Sequence, residues 1–188
     1  MGLDILLQVD KQLVTDNLSN AEDNFKHHSL SREFCHFMCR KDVVDHEPEL
    51  NQIGKICKVD ISSLYEMENY PDEEGLEFEL EYAKDENEKQ KILKLSELNR
   101  NKIINNIDKV LLTISSLIDG LTGIENLNNS ITKTNNDTLN AEYYFSDFNE
   151  DKGEGYIKNN FGQDLRNFKR FLKYAKENGA TSVWFHYG

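Results

Sequence analysis

TSVWFHYG (181–188), at the end of the chain, decides how the rest is read. Val183, Phe185 and Tyr187 alternate with Trp184 and His186, so a strand here has one apolar face and one mixed face. At the other end LDILLQV (3–9) is a short apolar run with β-branched residues, the pattern of a buried strand. The segments between them carry mostly helical spacing. Strands at both ends with helices between describe an α+β fold in a single small domain, 1–188. The terminal strands are expected in one antiparallel or mixed sheet, packed on a long central helix and flanking helices.

Working inward from the C-terminal strand, residues 163–177 place Leu165, Phe168, Phe171, Leu172 and Ala175 on one helix face, with Gly179 to end it. Before it, NEDKGEG (149–155) reads as a glycine loop and AEYYFSDF (141–148) as a strand, while the Asn-rich 125–138 reads as a loop. The central helix is expected over 86–119, with Ile103, Ile107, Val110, Leu111, Ile114, Leu117, Ile118 and Leu121 as its stripe and Gly120 as the residue after its end. LEFELEY (76–82) alternates strictly and is taken as a strand with Leu76, Phe78, Leu80 and Tyr82 inward. Glu and Leu are also good helix formers, so a helix stays open there. Pro48 suits the first turn of a helix burying Leu50, Ile53 and Cys57, and Asp60 a cap for Ile61, Leu64 and Tyr65. Ser29 is expected to cap a helix carrying Leu30, Phe34, Phe37 and Met38, after a loop over 15–26.

A length of 188 residues suits one core, and ten Phe, eight Tyr and one Trp can fill it. A mean hydropathy of -0.69 marks a very polar surface. No apolar run approaches the roughly 18 residues of a membrane span, so no membrane partner is expected. The opening MGLDILLQVD has no basic region and no cleavage site, and three cysteines are too few for a disulfide scaffold. Both point to a cytoplasmic setting.

The formal charge of -12 is concentrated. Residues 60–88 hold twelve acids against one base, Lys84, whereas 152–178 hold seven bases against three acids. An acidic field repels nucleic-acid backbones and steers basic proteins into contact. The leading expectation is therefore a non-enzymatic acidic binding protein of inhibitor or immunity/anti-defence type, occluding a basic partner such as a nuclease toxin or a defence protein. Its surface would use Glu66, Glu68, Asp72, Glu73, Glu74, Glu77, Glu79 and Glu81, with Tyr65, Tyr70 and Phe78 as aromatic anchors. Acids that serve only solubility are the competing account.

HHSLSREFCHFMC (27–39) gathers three of the five histidines and two of the three cysteines. Cys35 and Cys39 share a helix face, and with His28, His46 and Cys57 could hold zinc, but a lone Cys-x3-Cys is a weak pattern beside a buried core helix. Cys35 and its neighbour His36 point about 100° apart on a helix, which disfavours a catalytic dyad. Neither a metal nor a cofactor is expected. The alternative function is a small-ligand protein or hydrolase that binds a phosphate- or nucleotide-type anion at the helix start, through His28, Ser29, Ser31 and Arg32 with His186.

MGLDI at the start, His28-Ser29-Leu30, and Gly153, Gly155 and Tyr156 before the last helix resemble small phage and prophage proteins that begin Met-Gly-Leu-Asp-Ile. The resemblance covers the two ends. Where that set has Asn before the His-containing turn and Trp in the glycine loop, this chain has Lys26-His27 and Glu154. It implies a mobile-element context and carries no mechanism.

Overall fold

In the computed structural model, which describes residues 5–11, 30–42, 44–132, 141–151 and 159–187, the two ends of the chain meet. Strand β1 (Ile5–Val9) pairs antiparallel with β2 (Val183–Tyr187), with Ile5 opposite Tyr187, Leu7 opposite Phe185 and Val9 opposite Val183. The period of two works as read: Ile5, Val9, Val183 and Phe185 are buried, and Leu6 and His186 face outward. Side chains staple the ribbon. The Asp10 carboxylate accepts hydrogen bonds from Thr181 N (2.9 Å), Thr181 Oγ1 (2.6 Å) and Ser182 N (3.1 Å). Asn106 stands in for a neighbouring strand: its Nδ2 donates to Val183 O, and Val183 N donates to its Oδ1, both at 2.8 Å.

Among the described residues, the α-helices in chain order are α1 (Arg32–Met38), α2 (Glu49–Cys57), α3 (Ser62–Glu68), α4 (Glu73–Glu81), α5 (Glu86–Ile103), α6 (Ile107–Leu121), α7 (Ala141–Tyr144) and α8 (Phe161–Glu177). Helices α6 and α8 pack on each other, and α3 lies against β2. Phe34, Phe37, Phe161 and Phe168 are fully buried, and each contributes about 1.5–3 kcal/mol by leaving water. Phe34 meets Phe168 edge-on at 6.3 Å and Phe185 at 6.2 Å, while Phe37 lies 5.0 Å from Phe161. Arg40 and Glu49, both buried, pair at 3.0 Å and tie the turn after α1 to α2.

Several expectations are corrected. Residues 76–81 are helical and Tyr82 follows the helix end: the Asp72 carboxylate caps α4 by accepting from Gly75 N at 2.6 Å, and Glu73 and Glu74 sit at the positive end of the helix dipole. The described residues offer no third strand for a 76–82 strand to pair with. AEYYFSDF is not a strand either. It forms α7 and a following turn, and its buried Tyr144, Phe145 and Phe148 follow helical rather than alternating spacing. The long central helix divides at Ile104–Asn106, where Asn105 takes a left-handed conformation (φ 56°) that Asn tolerates better than most residues. Gly120 lies inside α6 and permits its close approach to α2, since a Cβ there would stand 2.9 Å from Cys57 Cβ. Helix α1 is capped by Ser31, whose Oγ accepts from Phe34 N at 3.2 Å. Ser29, the 15–26 loop, most of the glycine loop and residues 133–138 of the Asn-rich loop lie outside the described residues, while the rest of the Asn-rich loop holds a short 3-10 turn, Leu127–Asn129, with Leu127 and Ile131 buried.

Candidate partner-binding surface

Helix α4 buries none of its residues. Its Leu76 and Leu80, one turn apart, are half-buried beside α5, whereas Phe78 is 61% exposed and Tyr82, just past the helix end, is 69% exposed. The two rings lie against each other, tilted by 39°, with 4.5 Å between centroids. At 100° per residue, Phe78 stands about 200° around the helix from Leu76, so the aromatic pair faces away from the packed side. Glu74, Glu79 and Glu81 flank it, and Glu73 and Glu77 complete five exposed glutamates with no base on the helix. Among the described residues, none of these carboxylates makes an ion pair.

The structure divides the expected partner residues into two groups. Asp72, Glu73, Glu74, Glu77, Phe78, Glu79 and Glu81 lie on or beside α4 and face solvent. The others are engaged within the fold. Glu66 pairs with Lys109 at 2.7 Å and Glu68 with Lys41 at 2.6 Å. Tyr65 donates from its hydroxyl to Asn51 Oδ1 at 2.6 Å, and Tyr70 stacks on Trp184 at 4.6 Å. Sequence reasoning missed Tyr82 as an outward residue, because alternation placed it inward with Leu76 and Leu80. Helical spacing from Phe78 to Tyr82 was the signal that could have found it.

The start of α1 is a buried polar cluster. Asp164 is fully buried in the first turn of α8. Its Oδ1 accepts from Ser31 N and Asn159 Nδ2, each at 3.0 Å, and its Oδ2 accepts from Ser31 Oγ (2.6 Å) and Tyr144 OH (3.0 Å). Burial raises its pKa to about 6, although all four hydrogen bonds pull the other way. Burial and the neighbouring Asp164 carboxylate hold the Tyr144 phenol well above its ordinary range, so it remains a donor. The anion at this helix start is thus the chain's own carboxylate. Of the other residues in the anion reading, Arg32 and His186 are exposed on separate elements, and His28 and Ser29 lie outside the described residues.

Cys35 is buried, and Cys39 and Cys57 are partly so; burial raises the Cys57 thiol. Among the described residues, no group of three His, Cys, Asp or Glu side chains is placed to share a metal ion. Among them, too, no helix is long and apolar enough to cross a membrane. No family model, no curated protein and no solved structure matches the chain.

Proposed function

We propose that this chain is a non-enzymatic binding protein that docks a basic protein partner on the outer face of α4. One observation carries the reading: a helix that buries nothing displays two large aromatic rings inside a rim of carboxylates. Buried aromatics dominate the energy of protein interfaces, and an acidic rim accelerates encounter with a basic surface. The same field disfavours direct nucleic-acid binding, because phosphates would approach carboxylates. Within this class an inhibitor or immunity/anti-defence role fits best, with a nuclease toxin or defence protein as the partner. A mobile-element setting, which the resemblance at the chain ends implies, agrees with such a role. The anion-ligand alternative draws no support from Ser31, whose N–H and hydroxyl are engaged by Asp164.

The test is capture from an extract of the source cell, comparing wild type with the double variant Phe78→Ser/Tyr82→Ser. We expect a basic protein that the wild type retains and the variant loses, with both proteins folded by circular dichroism. Retention of the same proteins by both would remove α4 from the account.

A further inference from the structure

Helix α5 carries the complement of α4. It holds five bases (Lys89, Lys91, Lys94, Arg100, Lys102) against three acids (Glu86, Glu88, Glu97), and its Leu95 and Leu98 are 58% and 51% exposed. Lys91 lies one turn before Leu95, Lys94 one turn before Leu98 and Lys102 one turn after it, so a leucine stripe is edged by three ammonium groups. Its packed side is different, with Ser96 and Ile103 buried and Ile92 half-buried. The acid-rimmed aromatic face of α4 and the lysine-rimmed leucine face of α5 therefore match in chemistry and in sign. Within one chain they cannot meet, because each lies on its own helix away from the side the hairpin packs. Among the described residues, no ion pair joins the two helices.

We infer that two copies of this chain associate through the hairpin, α4 of each copy lying against α5 of the other about a two-fold axis. A two-fold contact requires that each patch meet its complement twice, and one acidic face plus one basic face on the same hairpin meets that requirement. The lengths agree: α4 is nine residues long, about 14 Å, and the stripe from Lys91 to Lys102 spans about 17 Å. Phe78 and Tyr82, 61% and 69% exposed, each have about 90–170 Å² left to remove from water, so together with the opposing Leu95 and Leu98 the reciprocal contact buries on the order of 1,000 Å². That is a small interface, and the dimer is accordingly concentration-dependent and weakened by salt. Self-association and a foreign basic partner occupy the same α4 face, so they exclude each other. The self-association does not depend on the existence of that partner.

Sedimentation velocity on the purified full chain decides it. We expect wild type to shift from monomer to dimer with rising concentration at low ionic strength, with the dissociation constant rising about tenfold or more at 0.5 M salt. Leu95→Glu/Leu98→Glu should stay monomeric. So should Glu74→Lys/Glu79→Lys/Glu81→Lys alone, and Lys91→Glu/Lys94→Glu/Lys102→Glu alone. Mixed in equal amounts, the two charge-reversed chains should form a heterodimer, because reversal of α4 in one and α5 in the other makes both contacts attractive again. A wild type that stays monomeric throughout, a dimer equally strong in every variant, or no heterodimer on mixing would each overturn the inference. All the altered side chains are exposed, and circular dichroism confirms that each variant keeps its fold before it is scored.

Discussion

Asp164 ties the stability of the fold to pH. Its two oxygens are not equivalent. Oδ1 faces two N–H groups that can only donate, whereas Oδ2 faces two hydroxyls, on Ser31 and Tyr144, that can turn to accept. A proton on Oδ2 therefore fits the cluster, and so does the amide of Asp164→Asn. The folded pKa, about 6, lies above the ordinary 3.8. The folded state thus holds the proton more tightly, and the stability this group contributes is greatest below pH 4 and lost as pH rises to about 6. Asp10 runs the other way. Partial burial alone would raise it, but hydrogen bonds from Thr181 and Ser182 hold it below the usual range, so its contribution is lost only on acidification. We expect Asp164→Asn to fold, and the wild-type-minus-variant stability to fall by about 2 kcal/mol between pH 4 and pH 7. Urea unfolding of both proteins across that range reads this directly, and a difference independent of pH would contradict it. Gly162, in the same turn of α8, is fixed by space. A Cβ there would stand 2.4 Å from Phe148 O, so Gly162→Ala should lose about 1–3 kcal/mol by overpacking despite its better helix propensity. An unchanged denaturant midpoint would rule that out.

At the scale of elements, α4 is the part whose form decides what the surface looks like. Asp72 caps it and nothing in it is buried, so Asp72→Ala should cost about 1 kcal/mol locally. Amide exchange across 73–81 should quicken while the global thermal midpoint stays in place. A fall in the global midpoint would show that α4 supports the core after all. The terminal strands and α8 were legible in the sequence, because one buried face imposes a simple period on each. Helix α4 was not, because LEFELEY satisfies two periods at once. Alternation groups Leu76, Phe78, Leu80 and Tyr82 together, whereas the helix separates Leu76 and Leu80 from Phe78 and Tyr82. With nothing buried, hydrophobic pattern carried no information there, and the cap at Asp72 was the better guide. The break between α5 and α6 was hidden for a related reason. Asn105 adopts φ 56° to suit a contact distant in sequence, its N–H donating to Ser182 Oγ at 3.0 Å. As for the candidate surface, the acidic run was visible in composition, but Tyr65, Glu66, Glu68 and Tyr70 are drawn inward by Asn51, Lys109, Lys41 and Trp184, partners that no local pattern reveals.

For the whole molecule, the arrangement separates two tasks. The terminal ribbon, α1, α3, α6 and α8 bury the core, while the α4–α5 hairpin contributes few buried side chains and most of the exposed apolar ones. Charge follows the same division, with five glutamates on α4 and a basic balance on α5. A surface of this kind acts at long range through its field and at contact through its rings. The central claim is that α4 is the face that meets a basic partner, and association kinetics with the captured partner test it most directly. Stopped-flow rates should be measured from 0.01 M to 0.15 M salt, over which the Debye length shrinks from about 30 Å to about 8 Å. For wild type the on-rate should fall steeply across that series. For Glu74→Lys/Glu79→Lys/Glu81→Lys it should start at least about tenfold lower and fail to fall with salt. Equal on-rates for the two proteins, with the same dependence on salt, would contradict the claim and return these carboxylates to a role in solubility.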